Sequence, residues 1–310
     1  MNKKILIMAG GLMACLIILV LAYRALNGAS SAKQAPVIKT DDRRDLLDKA
    51  KESMAKGDDD GAMKNYEILA VKYPDSPEAE AGLTALAAIY ERRNDLIKAK
   101  DLYQKIIEKF PNSNDILKSQ EAFDSVNVKI LFSPIITPDS FLYDVQKGDT
   151  LAKIAKKFNT TIDLITRANG IKSSAIQAGK KIKISKAKFS VIVDKSQNIL
   201  TLKSDGNILK TYRVSTGKDF STPIGTFKIT SKIVDPTWYT AGAVVPAGSP
   251  KNILGSRWMG ISKPGYGIHG TTDPGSIGQQ VTAGCVRMKN PEAEELYAIV
   301  PEETEVVIID

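Results

Sequence analysis

Histidine occurs once and cysteine twice in 310 residues, and this scarcity narrows the chemistry before any motif is read. A zinc centre needs three or four N, S or O ligands drawn mainly from those two residue types, so neither a metal nor another cofactor is expected. A structural disulfide is not expected either. Cys15 falls inside an apolar run, whereas Cys285 lies far away in a glycine-rich segment. Aromatic residues make up only 6% of the chain, which leaves few stacking platforms for bases and weighs against nucleic acid as a partner. Long charge-free runs are equally scarce: the clear one is Ile5 to Tyr23, nineteen residues bounded by Lys3-Lys4 and Arg24.

That run is close to the length needed to cross a bilayer as a helix, and the basic residues before it favour a cytoplasmic N-terminus. A cleaved signal peptide is the competing reading, but the apolar stretch continues from Leu16 through Ala22 instead of ending at a cleavage point. The expectation is a single-pass anchor over 1–24, with the remaining domains on the outer side of the membrane, away from the cytoplasm. Residues 25–40, rich in Ala, Ser, Gly and Pro, then read as a flexible linker.

The rest of the chain is long enough for several modest domains, and its 43% hydrophobic content suffices for packed cores. Residues 41–128 contain a repeat: Tyr66-Glu67-Ile68-Leu69-Ala70-Val71-Lys72-Tyr73-Pro74 returns thirty-seven positions later as Tyr103-Gln104-Lys105-Ile106-Ile107-Glu108-Lys109-Phe110-Pro111. Ala62 and Ala99 share the offset, as do Gly57 and Asn94 at turn positions. Helical apolar spacing at this period resembles tetratricopeptide helix pairs. Such a unit serves either as a spacer or as a docking surface for a partner protein.

A linker is expected over 129–142. From Tyr143 to Ser185 the order is strand, turn at Lys147-Gly148-Asp149, helix capped by Thr150, second helix near Ile162 to Asn169, and closing strand. With Ala168-Asn169-Gly170, Gly179 and Ile182-Lys183-Ile184 in place, this segment resembles a LysM module, a resemblance that implies binding to N-acetylglucosamine-containing glycans such as peptidoglycan. Between Tyr143 and Lys188, ten Lys and one Arg stand against three Asp, an excess of eight that equals the formal net charge of the whole chain. Such a cluster suits an anionic wall polymer.

The sole histidine and Cys285 stand sixteen residues apart in Gly267-Ile268-His269-Gly270-Thr271 and Thr282-Ala283-Gly284-Cys285-Val286-Arg287-Met288. A lone Cys among apolar residues is usually an inert core group. The flanking glycines change the balance, because they allow close backbone approach and leave main-chain N–H groups free to face an oxyanion. A thiol beside an imidazole suits nucleophilic attack on a carbonyl.

These residues resemble the catalytic block of the L,D-transpeptidases of the YkuD type, which cross-link peptidoglycan through a cysteine acyl-enzyme. Thr222-Pro223-Ile224-Gly225-Thr226-Phe227 and Arg257-Trp258-Met259-Gly260 look like the family's earlier motifs, and 189–310 fits its whole domain. Ala283 departs from members that carry a second histidine there. The resemblance implies Cys285 as nucleophile, His269 as base, and the Gly270 carbonyl as the group that orients the ring. Gly284, Arg287 and Thr282 fall to oxyanion or substrate binding, and Trp258 and Tyr266 become candidate cleft walls.

The implied reaction releases D-alanine from a tetrapeptide stem and passes the acyl group to an amine, with carbapenems as expected acylating inhibitors. An L,D-carboxypeptidase using water, or a non-catalytic wall-binding scaffold, is the alternative. By its own pattern the domain is mainly β. It has strands at Ser190–Asp194, Ile199–Leu202 and Ile208–Val214, a helix over Pro291–Ile299 and a buried strand at Glu305–Ile309, all of which suit a sandwich.

Overall fold

A computed structural model describes residues 40–240 and 242–310. The expected membrane anchor and the linker after it lie outside the described residues. Among the described residues no helix is long and apolar enough to cross a membrane.

Among the described residues five helices come first: α1 (Thr40–Ala55), α2 (Asp59–Lys72), α3 (Pro77–Arg92), α4 (Leu96–Lys109) and α5 (Ile116–Leu131). The thirty-seven-residue repeat is visible in their local chemistry. Asp58 and Asp95 occupy equivalent N-caps, their carboxylates accepting from the N–H groups of Gly61 and Lys98. Gly57 and Asn94 hold the preceding turns in the left-handed region, at φ 75° and 59°. Ala62 and Ala99, Tyr66 and Tyr103, and Leu69 and Ile106 fill matching buried positions of two adjoining apolar clusters. The small alanines allow close helix approach while the tyrosines and branched residues provide the buried area.

The second unit pairs β1 (Ser140–Asp144) with β2 (Lys181–Ser185) around α6 (Leu151–Lys157) and α7 (Ile162–Ala168). Both short helices begin on a threonine, with the Thr150 and Thr161 hydroxyls accepting from the N–H groups of Lys153 and Leu164. Helix α5 continues to Leu131, so only the stretch before β1 remains of the linker expected over 129–142.

The third unit is mainly β. It contains β3 (Phe189–Asp194), β4 (Ile199–Ser204), β5 (Asn207–Arg213), β6 (Thr216–Gly217), β7 (Gly225–Val234), β8 (Trp238–Thr240), β9 (Ala243–Val245), β10 (Arg257–Ile261), β11 (Gly267–His269), β12 (Gln280–Thr282), β13 (Val286–Arg287), α8 (Asn290–Ile299) and β14 (Glu305–Ile309). Eight strands run in the order β13-β11-β10-β7-β14-β3-β4-β5. Strand β7 joins two halves: its first residues pair with β14 and its later ones with β10. One apolar core takes Val191, Leu200 and Tyr212 from one half, Met259, Ile268 and Val286 from the other, and Leu296 and Ile299 from α8. The sandwich anticipated from the strand pattern is thus a single sheet whose halves share a core.

Specific contacts join the units. Asp124 of α5 accepts from the Thr211 N–H (2.8 Å), and Asn127 donates to the Leu209 carbonyl (3.3 Å). The buried Lys183 ammonium donates to the carbonyls of Ile130, Leu131 and Ser133 at 2.9, 3.3 and 2.8 Å, closing the C-terminal end of α5. The Thr161 hydroxyl donates to the Ala298 carbonyl of α8.

Candidate active site

His269 ends β11 and Cys285 immediately precedes β13, so the fifteen intervening residues form the excursion that brings the two segments alongside each other. The strands are parallel, with Ile268 opposite Val286 and His269 opposite Arg287. Ile268 and Val286 enter the core, so by strand alternation His269, Arg287 and Cys285 share the other face. Cys285 is then a diagonal neighbour of His269, displaced by one pleat. A glycine at 267 is demanded by its surroundings, since a Cβ there would stand 2.7 Å from the Met259 carbonyl and 2.8 Å from the Trp258 ring.

The imidazole is buried, with 2% of its surface exposed, and the Trp258 ring stacks on it at 6.0 Å between centroids. Its Nδ1 lies 2.6 Å from the Gly270 carbonyl oxygen. A carbonyl only accepts, so Nδ1 carries the proton of the neutral ring and Nε2 is the basic nitrogen. Burial pushes the His269 pKa down to about 4; the Gly270 carbonyl and, more weakly, the Leu254 backbone oppose this, and the nearby Arg287 guanidinium adds to it.

Cys285 is a free, partly exposed thiol. Its Sγ donates weakly to the Gly265 carbonyl at 3.7 Å, and no hydrogen bond to His269 is present among the described residues. Burial also pushes the thiol pKa up, against the pull of the Gly267 backbone and Arg287. A raised thiol and a depressed imidazole both favour neutral forms. The resting pair is therefore thiol and imidazole, not thiolate and imidazolium.

The loop before Cys285 is stapled by Thr282. Its buried hydroxyl donates to the Cys285 carbonyl at 2.6 Å and accepts from the Gly284 N–H at 3.2 Å. That N–H is therefore spent inside the loop and is not the free oxyanion donor expected of Gly284. The Cys285 N–H, by contrast, has no partner among the described residues. Gly284 has φ 129°, and a Cβ there would lie 2.6 Å from the Tyr266 ring, so close packing requires the glycine. Tyr266 thus backs the cysteine loop, and Thr222, from the earlier motif, accepts from the Gly217 N–H at 2.7 Å on the loop's other side.

Arg287 exchanges main-chain hydrogen bonds with Ser215 and donates from Nη1 to the Ser276 hydroxyl at 2.9 Å, while its Nε has no partner among the described residues. It braces the loop ahead of Cys285. Among those residues no cluster of three or more His, Cys, Asp or Glu side chains is able to hold a metal.

Asn290, outside the catalytic motifs, also holds the site together. Its Oδ1 accepts from the N–H groups of Thr271 (2.8 Å) and Ser256 (3.1 Å), tying the turn after His269 to the turn before β10. The only local signal was an asparagine directly ahead of the Pro291 helix start, five residues after the cysteine.

A mainly-β unit that sets a cysteine beside a buried histidine, carried next to a small α+β module and helical repeats, defines the class: a modular protein with a separate domain suited to cysteine–histidine chemistry. Residues 188–308 match the L,D-transpeptidase catalytic domain family (YkuD), 143–185 the LysM domain, and 83–113 the tetratricopeptide repeat. The putative L,D-transpeptidase YkuD of Bacillus subtilis is 35% identical over 173 residues, covering 54% of this chain and 97% of that protein. The putative L,D-transpeptidase YqjB of the same organism is 41% identical over 126 residues, covering 39% of this chain and 70% of that one. A solved L,D-transpeptidase from Mycobacterium smegmatis is similar at 24% identity and a TM-score of 0.34, covering 43% of this chain and 64% of that one. The chain belongs to the YkuD family of L,D-transpeptidases, and it is an L,D-transpeptidase enzyme.

Proposed function

We propose that the enzyme acts on peptidoglycan by a cysteine acyl-enzyme route with Cys285 as nucleophile and His269 as general base. The observation that carries this reading is the imidazole whose Nδ1 is committed to the Gly270 carbonyl, leaving Nε2 as the basic nitrogen on the face shared with Cys285. Because both groups rest neutral, the thiol proton passes to Nε2 as sulfur attacks the carbonyl of the third residue of a tetrapeptide stem. The Cys285 N–H, lacking a partner among the described residues, is the donor for the developing oxyanion. The imidazolium then protonates the departing D-alanine amine and a thioester remains. A side-chain amine from a second stem attacks that thioester, His269 takes its proton, and the thiol is regenerated with a new cross-link.

The LysM module serves as the glycan anchor, and its lysine excess adds long-range attraction to anionic wall polymers. With residues 5–23 as a membrane anchor, the catalytic domain works on the outer side of the cytoplasmic membrane.

Incubating the full-length protein with disaccharide tetrapeptides and following products by mass spectrometry tests the scheme. Cross-linked dimers with loss of D-alanine are expected, and Cys285→Ala and His269→Ala abolish them. Tripeptides alone mean that water is the acceptor. Undiminished product from Cys285→Ala removes the proposed nucleophile.

A further inference from the structure

One peptide unit stands between His269 and Asn290. The carbonyl of Gly270 accepts from His269 Nδ1 at 2.6 Å, and the N–H of Thr271, the other end of the same amide plane, donates to Asn290 Oδ1 at 2.8 Å. The same oxygen accepts from the Ser256 N–H at 3.1 Å, and the Gly270 N–H donates to the Arg257 carbonyl at 3.1 Å. The slot for that oxygen exists because two residues lack side chains. A Cβ on Gly270 would lie 2.2 Å from Asn290 Oδ1, and one on Gly255, at φ 63°, would lie 2.1 Å from it. Gly270 is therefore more than a residue without an orienting side chain; its bare Cα admits the group that orients its own carbonyl.

We propose that Asn290 is a positioning residue for His269, acting through the Gly270–Thr271 peptide to aim and polarise the carbonyl that fixes the imidazole's Nδ1–H tautomer. The proposal rests on His269 being the base. An amide whose N–H is drawn toward an acceptor carries more negative charge on its oxygen, and chains of such bonds reinforce one another. The carbonyl then holds the Nδ1 proton more firmly, keeping Nε2 unprotonated in a buried site where no side-chain carboxylate among the described residues bonds the ring. Asn290 opens α8, so its place is set by the helix and not by a mobile loop.

Because His269 is the only histidine, nitrogen NMR of full-length protein labelled with 15N-histidine shows one imidazole. The wild type is expected to be the Nδ1–H tautomer. In Asn290→Ala the Nε2–H form becomes populated, the acid limb of kcat/KM moves to lower pH, and kcat falls about ten- to a hundredfold with KM little changed. Asn290→Asp keeps an acceptor and adds negative charge, so the tautomer is retained and the acid limb moves to higher pH. If Asn290→Ala does not fold, Asn290→Asp decides alone, an unmoved limb overturning the proposal. A wild-type Nε2–H tautomer, or Asn290→Ala with wild-type tautomer and pH profile, also overturns it. His269→Ala separates the two layers: full activity there defeats the base assignment itself, whereas lost activity beside an unperturbed Asn290→Ala defeats only the positioning role.

Discussion

Lowering the pH from 7 to 5 should leave the second-order rate of acylation nearly unchanged. An ordinary histidine, with a pKa of about 6.5, would be only about 3% neutral at pH 5 and the rate would fall roughly thirtyfold. His269, pushed down to about 4 by burial, is still about 90% neutral there and able to accept the thiol proton. The quantity to measure is kcat/KM for D-alanine release, since it reports the free enzyme. A linked effect appears in stability. The unfolded chain protonates its histidine below about 6.5 while the folded state resists until about 4, so stability from this group is complete above the first value and is lost as pH falls toward the second. The size is about 3 kcal/mol at ~1.36 kcal/mol per pH unit, and the difference between wild type and His269→Gln in denaturant titrations at pH 7 and pH 4.5 isolates it. An acid limb of kcat/KM near 6.5 would refute the reasoning, because it would mean that water reaches the ring and that burial does not set its protonation.

Three further outcomes are expected. Gly270→Ala drives a methyl into Asn290 Oδ1 and should lower kcat at least tenfold; unaltered turnover would show that the slot relaxes freely. Lys183→Met leaves the Leu131 and Ser133 carbonyls without their donor, the Ile130 carbonyl keeping the Ser133 hydroxyl and N–H, at about 1–3 kcal/mol for each buried group left unsatisfied, and should lower the denaturation midpoint; an unchanged midpoint would mean that water replaces the ammonium. Replacing the exposed Lys147, Lys153, Lys156 and Lys172 with Gln should weaken co-sedimentation with peptidoglycan sacculi and flatten its salt dependence, whereas undiminished binding at low salt would assign recognition to uncharged glycan contacts alone.

Much of the architecture could be read locally. The helical repeat announced itself because each copy must cap its helices, turn, and bury small residues at the same places, and Asp58 and Asp95, Gly57 and Asn94, and Ala62 and Ala99 carry those duties. Thr150 and the Pro291 helix start are likewise near-neighbour signals, and both mark real helix ends. The cysteine and histidine stood out by rarity and by their glycine neighbours. The Gly284 N–H misled, because a free donor and a donor taken by Thr282 look the same along the chain.

Chain order alone thus determined the residue types available for chemistry, the module order and the helix ends, all of which depend on side chains a few positions apart. The folded arrangement decided the rest. Parallel pairing of β11 with β13 sets Cys285 and His269 on one face, burial holds both neutral, and a helix start sends Asn290 into a slot between two glycines. Register, desolvation and close approach are properties of groups that meet only after folding, so no local pattern encodes them.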